Sequence, residues 1–210
     1  IGMANSRHQA MEMAVINYLW PTLTILLSII IGRKKVSYWV YPSMIIAFLG
    51  VAWCITGDQE MSIDTLVSNF ADNPATYLMA LAAAFIWAIY CVVTQKLSNG
   101  KNAITLFFTV TAMSLWAQYG FSNEAPLTFS LSSSMTLLLA GVVVGSGYAL
   151  WNQAIIGGNL MLLGTLSYFT PVFSTIISAL YLSITLSASF WQGVVLVTVG
   201  SLICYFVTRE

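Results

Sequence analysis

Seven long apolar runs, separated by short polar breaks, dominate this 210-residue sequence. They cover residues 9–31, 39–56, 75–95, 103–121, 133–156, 160–182 and 189–207. A helix that crosses the hydrocarbon core of a bilayer needs about 20 consecutive apolar residues. Each run is close to that length, and the breaks contain the glycine, asparagine and proline that interrupt helices. We therefore predict an all-α, polytopic membrane helix bundle with seven transmembrane helices.

The content of charged residues is too low for a soluble domain. The chain has seven Lys and Arg and seven Asp and Glu residues, whereas 59% of its residues are hydrophobic. A soluble domain carries about 25% charged residues, because it must present a wetted surface. No basic tract points to nucleic acid as a partner. Membrane lipid is therefore the expected surrounding of this chain.

Enzyme and metal signatures are absent from the sequence. The three cysteines, Cys54, Cys91 and Cys204, lie inside apolar runs and lack the spacing of a metal or redox motif. Ser146 lies between two glycines, but no histidine within an apolar run could act as its base. We predict no catalytic residue, no metal and no cofactor. An intramembrane enzyme or a structural scaffold is the less favoured alternative to a transporter.

Lysine and arginine are distributed unevenly between the two sides of the predicted bundle. When the breaks alternate sides, Arg7 stands alone on one side, and the other side receives Arg33, Lys34, Lys35, Lys96, Lys101 and Arg209. Cytoplasmic loops carry the excess of Lys and Arg. We therefore predict that the first span runs from outside to inside and that the C-terminus is cytoplasmic.

The longest break, residues 57–74, has a helical pattern of its own. Ile63, Leu66, Val67 and Phe70 recur at the spacing of one helix face, and Ser62 precedes them as a candidate N-cap. We predict a short amphipathic helix at the outer membrane boundary. A linker without regular structure is the alternative.

The sequence repeats itself after 150 residues, so that the first and second spans correspond to the sixth and seventh. Tyr18 then matches Tyr168, and Pro21 matches Pro171. A stripe of small or polar residues on one helix face also matches: Ala14, Asn17, Pro21, Thr24 and Ser28 against Gly164, Ser167, Pro171, Ser174 and Ser178. Since the first span corresponds to the sixth, five spans later, the repeating unit has five helices.

The two copies of this unit are predicted to be inverted in the membrane, because the first span runs inward and the sixth outward. Residues 75–207 form the complete second copy, and residues 58–74 form the outer linker. Residues 1–57 form the end of the first copy, with residues 1–5 as the stump of its third helix. We expect a ten-helix protein of which about three N-terminal helices are missing here. Inverted repeats place the substrate site near the bilayer midplane.

Two prolines and one asparagine mark the predicted site on the repeated helices. Pro21 and Pro171 lie midway along their spans, where proline removes a backbone hydrogen bond and bends the helix. The bends either surround a central cavity or are packing kinks. Asn17, which matches Ser167, is bulkier and more polar than a packing contact requires, so it favours the cavity.

Glu12 and a set of deep aromatic residues complete the candidate site. Glu12 is the only acid inside a span, where a carboxylate costs about 2.5–3.5 kcal/mol at the centre. Its carboxylate either carries a proton or binds the substrate, or it interacts favourably with the positive end of the helix dipole. The aromatic rings either contact an aromatic or cationic solute or fill the core. The predicted substrate pathway comprises Asn17, Trp20, Pro21, Trp87, Tyr90, Tyr148, Trp151, Ser167, Tyr168 and Pro171.

Several stretches resemble a known transporter family. They are Ile16-Asn-Tyr-Leu-Trp-Pro21, Ala84-Phe-Ile-Trp87 with Tyr90-Cys91, Ser167-Tyr-Phe-Thr-Pro171, Phe190-Trp-Gln-Gly193 and Gly200-Ser-Leu-Ile-Cys204. They are similar to the YddG-type aromatic amino acid exporters of the drug/metabolite transporter (EamA-like) superfamily.

The resemblance implies ten helices in two inverted five-helix repeats, with a periplasmic linker between them, in the inner membrane of a Gram-negative bacterium. It also implies export of Phe, Tyr, Trp and toxic aromatic compounds by alternating access. The first, third, fifth and sixth spans would line the cavity, and the second and seventh would pack at the periphery. The alternative is a relative that moves another metabolite or drug.

Overall fold

The computed structural model describes residues 7–33, 35–56, 63–122, 127–183 and 185–208, and it contains no strand in these ranges. Its helices are α1 (Arg7–Asn17), α2 (Trp20–Gly32), α3 (Val40–Thr56), α4 (Ile63–Asp72), α5 (Pro74–Leu97), α6 (Ile104–Gly120), α7 (Leu131–Gly157), α8 (Leu160–Ser167), α9 (Thr170–Leu182) and α10 (Ala188–Thr208). Every predicted span lies on helix, which confirms the all-α prediction. The predicted stump at residues 1–5 and the predicted N-cap Ser62 lie outside the described residues, as do Lys34 and Arg209.

Among the residues that the structure describes, five helical segments are long and apolar enough to cross a membrane. They are Gln9–Gly32, Pro74–Leu97, Leu131–Gly157, Leu160–Tyr181 and Ala188–Thr208. The two other predicted spans form α3 and α6, which have 17 residues each. At 1.5 Å per residue such a helix is about 26 Å long, the lower limit for crossing the hydrocarbon core. The protein is therefore a multi-pass membrane protein.

The chain divides into two compact units. The larger unit contains residues 1–92 and 160–210, and the smaller unit contains residues 93–159. The core of the larger unit includes Ile25 of α2, Val51 of α3 and Val197 of α10. The smaller unit contains the end of α5 together with α6 and α7.

Glycine residues bring α3 and α10 into backbone contact in the larger unit. A Cβ atom built on Gly50 would lie 2.5 Å from the backbone nitrogen of Val197. A Cβ atom on Gly200 would likewise lie 2.5 Å from the nitrogen of Ala47. No side chain larger than hydrogen fits at either place. Small residues permit this close approach in membranes, where packing rather than hydrophobicity drives helix association.

The first and sixth predicted spans are each interrupted by a two-residue turn, at residues 18–19 and 168–169. α1 ends at Asn17 and α2 begins at Trp20, whereas α8 ends at Ser167 and α9 begins at Thr170. In each case the proline that follows has no amide hydrogen to donate, and its ring crowds the carbonyl four residues earlier. Those carbonyls belong to Asn17 and Ser167, the last residues of α1 and α8. From here on, the first break means the interruption at residues 18–19, and the second break means the interruption at residues 168–169. Neither is one of the polar segments between the spans.

The helices that follow the two breaks have the same length and the same ending. α2 and α9 both contain 13 residues, and their bounds differ by 150 positions. Each ends at a left-handed residue, Arg33 with φ 48° and Ser183 with φ 54°. A left-handed residue after a helix is a common way to satisfy its last carbonyls. The predicted amphipathic segment also forms a helix, α4.

Candidate functional site

A cavity of about 510 Å³ lies beside the first break in the larger unit. Its volume falls in the range of about 300–1,000 Å³ that is usual for small-molecule sites. Four helices (α1, α2, α5 and α9) and the first break supply its wall, which consists of Met13, Ala14, Asn17, Tyr18, Trp20, Thr76, Met79, Ala80, Ala83 and Thr170. The wall is mostly apolar and includes a few polar side chains, which is the usual composition of a ligand pocket.

The two breaks place helix ends at this cavity. Asn17 is the last residue of α1, and Trp20 and Thr170 are the first residues of α2 and α9. The first amide groups of a helix have no partner within the helix, and they form its positive end. Interrupted membrane helices use such ends to hold charged solute groups near the midplane. This wall therefore combines helix-end polarity with the Asn17 amide.

An aromatic cluster extends from the cavity wall between α2 and α5. The ring centroids of Trp20 and Trp87 are 6.1 Å apart at an interplanar angle of 81°. The rings of Trp87 and Tyr90 follow at 5.3 Å and 38°. Both distances lie within the range of favourable aromatic pairs. Trp20 therefore reaches the cavity directly, and its ring packs edge-to-face against Trp87 of α5.

The predicted residues of the second break lie in the packed core. Tyr168 is 0% exposed, and its hydroxyl group shares a hydrogen bond of 2.6 Å with that of Thr22. The hydroxyl of Ser167 donates to the carbonyl of Leu163, also at 2.6 Å. These contacts occupy the polar atoms of both side chains with protein partners. Tyr168 and Ser167 therefore support the helices that hold the cavity.

The two prolines are buried and act on the backbone. Pro21 is among the fully buried residues of the larger unit, and Pro171 is buried as well. Both lie in the first turn of the helix after the break. Their contribution to the site is the interruption itself, which exposes the ends of α1, α2 and α9.

Two predicted pathway residues, Tyr148 and Trp151, lie on α7 in the smaller unit. The ring of Tyr148 is 5.6 Å from that of Phe108 on α6, in an edge-to-face arrangement. Next to Trp151, the buried Asn152 donates from its side-chain amide to Asn102 at 2.5 Å. The asparagine pair and the ring pair both join α7 to the region of α6.

Glu12 is buried in a network of hydrogen bonds and is only 5% exposed. The side-chain amide of Asn69, on α4, donates to both carboxylate oxygens at 3.0 and 3.2 Å. The hydroxyl of Tyr77, on α5, donates to one of them as well. The adjacent residues Met13 and Thr76 line the cavity. Glu12 therefore joins α4 and α5 to α1 next to the site.

The sequence interpretation missed the α5 side of the cavity and the partners of Glu12. Thr76, Met79, Ala80 and Ala83 recur at the spacing of one helix face, so this stripe could have been found by its period. Asn69 and Tyr77 gave no comparable signal, because their contacts with Glu12 join residues far apart in the sequence. Among the described residues, no group of His, Cys, Asp and Glu could hold a metal ion.

Comparisons with known proteins agree with this architecture. The model of the EamA-like transporter family matches residues 74–206. The aromatic amino acid exporter YddG of Salmonella typhimurium is 44% identical over 210 residues, which are 100% of this chain and 72% of the relative. The exporter of the same name from Escherichia coli is 41% identical with the same coverage.

A solved crystal structure shows the same fold. It superposes with a TM-score of 0.74 at 20% identity, over 95% of this chain and 68% of that chain. The family match covers more than half of the sequence, and the two exporters align with all of it. The family consists of transporters rather than enzymes. The chain belongs to the EamA-like transporter family.

Proposed function

We propose that this protein exports aromatic amino acids across the bacterial inner membrane, and that the cavity at the first break is its substrate site. The observation that carries the proposal is the joint presence of Asn17 and Trp20 on the cavity wall. Two relatives that align with the whole chain are named aromatic amino acid exporters. The alternative is transport of another metabolite or drug through the same cavity.

The chemistry of the cavity wall suits the two ends of such a substrate. The Asn17 amide carries donors for a carboxylate and an acceptor for an ammonium group. The first turn of α9, which starts at Thr170, favours the carboxylate, because the positive end of its helix dipole lies there. The indole of Trp20 offers a flat face to the substrate ring. Trp87 packs edge-to-face against that indole.

Alternating access would use the two inverted repeats, with residues 1–57 and 75–207 as the parts on either side of the linker at 58–74. The α3–α10 contact supports this division. Gly50 meets Val197, and Gly200 meets Ala47. Each residue of the second pair differs from its counterpart in the first by 150 positions. Such reciprocal contacts are expected where two copies of a unit meet at a two-fold axis.

The proposed orientation places the C-terminus and the positively charged loops in the cytoplasm. Of the residues that support it, Arg33 follows α2 and Lys96 lies in the last turn of α5. Single cysteines can be introduced by Lys35→Cys and Asp72→Cys in a background without the native cysteines. A membrane-impermeant thiol reagent on intact cells should then label position 72 and spare position 35. Equal labelling of both positions would refute the orientation.

We assign Glu12 the role of an anchor for α4 rather than that of a proton carrier in the pathway. Its carboxylate oxygens face Asn69 and Tyr77, and both partners donate to them. Because these donors satisfy its buried oxygen atoms, Glu12 joins α4 and α5 to α1. The solute would pass the neighbouring wall at Met13 and Thr76 without contact with the carboxylate.

An efflux experiment with the full-length protein tests the proposed function. Cells are loaded with radiolabelled Phe, Tyr or Trp, and with labelled Leu as the matched apolar control. Expression should accelerate the loss of the three aromatic amino acids relative to cells with an empty vector, while Leu is retained. Equal efflux with and without the protein for all three aromatic substrates would refute the proposal. Accelerated loss of Leu to the same extent would favour the alternative of a less selective permease.

A further inference from the structure

The two break tyrosines, Tyr18 and Tyr168, occupy the same place in their helix breaks but have different surroundings. Each is the first residue after its helix, since α1 ends at Asn17 and α8 ends at Ser167. Tyr168 is fully buried and shares a hydrogen bond with Thr22. Tyr18 lies on the wall of the cavity. Two side chains that correspond by sequence have therefore taken different roles.

One residue contributes to this difference. The position that corresponds to Thr22 is Val172, which is also buried. Valine has no hydroxyl group, so Tyr18 cannot form the bond that holds Tyr168 in the core. Tyr18 instead packs partly against the hydrophobic core of the larger unit, and the remainder of its side chain lines the cavity.

The packing also makes Tyr18 suitable for recognition. A ring that is held by the core on one side loses little further freedom when a ligand binds on the other side, because its rotamer is already restricted. Aromatic side chains favour offset or edge-to-face contacts with other rings. Tyr18 and Trp20 lie two residues apart on the same cavity wall, so two rings are available to one solute.

We propose that Tyr18 is a specificity-determining residue that contacts the ring of the transported amino acid, and that Tyr168 is a positioning residue that ties α8 to α2. This proposal rests on the proposed function, since it takes the substrate to be an aromatic amino acid. Tyr18 sets the preference among Phe, Tyr and Trp. Tyr168 affects the three substrates equally, because its bond to Thr22 holds the helices rather than the solute.

The test measures efflux from cells loaded with equal amounts of labelled Phe, Tyr and Trp, with wild-type protein, Tyr18→Leu and Tyr168→Phe at matched expression. Loss of an aromatic pair corresponds to about a 2- to 10-fold effect. Tyr18→Leu should lower the ratio of Trp to Phe efflux by about 2- to 10-fold. Tyr168→Phe should lower all three rates by one common factor and leave the ratio unchanged. It should also lower the thermal midpoint of the purified protein.

The outcomes separate this proposal from the proposed function. If the wild-type protein exports none of the three amino acids, the proposed function fails and the role of Tyr18 fails with it. If the wild-type protein exports them and Tyr18→Leu keeps the wild-type ratio, only the role of Tyr18 is refuted. An equal shift of the ratio in Tyr168→Phe would refute it as well. Should Tyr18→Leu not give a monodisperse protein, Tyr18→Trp replaces it. Its larger ring must also lower the ratio of Trp to Phe efflux, and an unchanged ratio would refute the role.

Discussion

The first and second breaks share a sequence pattern and a backbone course, yet the residues before the first break line the cavity, whereas those before the second break are buried. Ala14 and Asn17 line that cavity. Their counterparts Gly164 and Ser167 are buried. A Cβ atom on Gly164 would lie 2.8 Å from the side chain of Ile25. The helix before the first break therefore faces open space, and the helix before the second break packs against α2.

This difference shows what a repeated sequence determines and what it leaves to the surroundings. Proline interrupts a helix by a local effect, the loss of one donor and a clash with the preceding turn, so it acts in the same way in both copies. Whether a side chain reaches a cavity depends on the element opposite. α1 has the small-residue face of α5 near it, where Ala80 and Ala83 leave room.

The largest effect is expected from the polar residue at the end of α1. Asn17→Ala should lower the efflux of Phe, Tyr and Trp alike, because the amide would bind the part that all three share. Loss of a hydrogen bond to a charged group costs about 1.5–3 kcal/mol, which corresponds to about 10- to 150-fold. Ser167→Ala is the matched control at the second break. It should change efflux little, since that hydroxyl is bonded within α8. Equal losses in both variants would remove the distinction between the breaks.

A medium effect is expected from enlarging two corresponding small residues, Gly164 on α8 and Ala14 on α1. Gly164→Val should destabilise the protein by about 1–3 kcal/mol, because the added atoms overlap the side chain of Ile25. At about 2–4 °C per kcal/mol, the thermal midpoint in detergent should fall by roughly 2–12 °C. Ala14→Val should leave the midpoint nearly unchanged and reduce efflux, with the greatest loss for Trp, because it narrows the cavity. The reverse assignment of the two effects would contradict the comparison.

The smallest effect concerns the anchor that only the first break has. The counterpart of Glu12 is Leu162, which has no carboxylate to accept such hydrogen bonds. Glu12→Gln replaces a charged acceptor by a neutral one and should cost about 1 kcal/mol, or about 2–4 °C in the thermal midpoint. The pH dependence of efflux should stay as in the wild type, since the carboxylate faces Asn69 and Tyr77. A pH profile that becomes flat in this variant would instead assign Glu12 to proton coupling.

The sequence predicted the features that arise from local physics. The apolar runs, the amphipathic face of α4 and the positions of the two breaks follow from composition, period and proline. The environment of Glu12 did not follow, because its partners lie 57 and 65 residues away along the chain. Of the residues predicted for the substrate pathway, Asn17 and Trp20 lie on the cavity wall and Tyr168 lies in the core, whereas Tyr18, which was not predicted, lies on the wall. The contact with Thr22 and the burial of Tyr168 distinguish the two tyrosines, and both depend on residues far away in the sequence.

The glycine contact between α3 and α10 has a consequence for biosynthesis. Gly50 leaves the ribosome long before its neighbour Val197, and translation at about 5–20 residues per second separates them by roughly 7–30 s. During that interval α3 is in the bilayer without α10, whose backbone packs against Gly50. The α3–α10 pair is thus completed only when α10 inserts. Nascent chains stalled before residue 188 should therefore be more sensitive to membrane proteases than the finished protein.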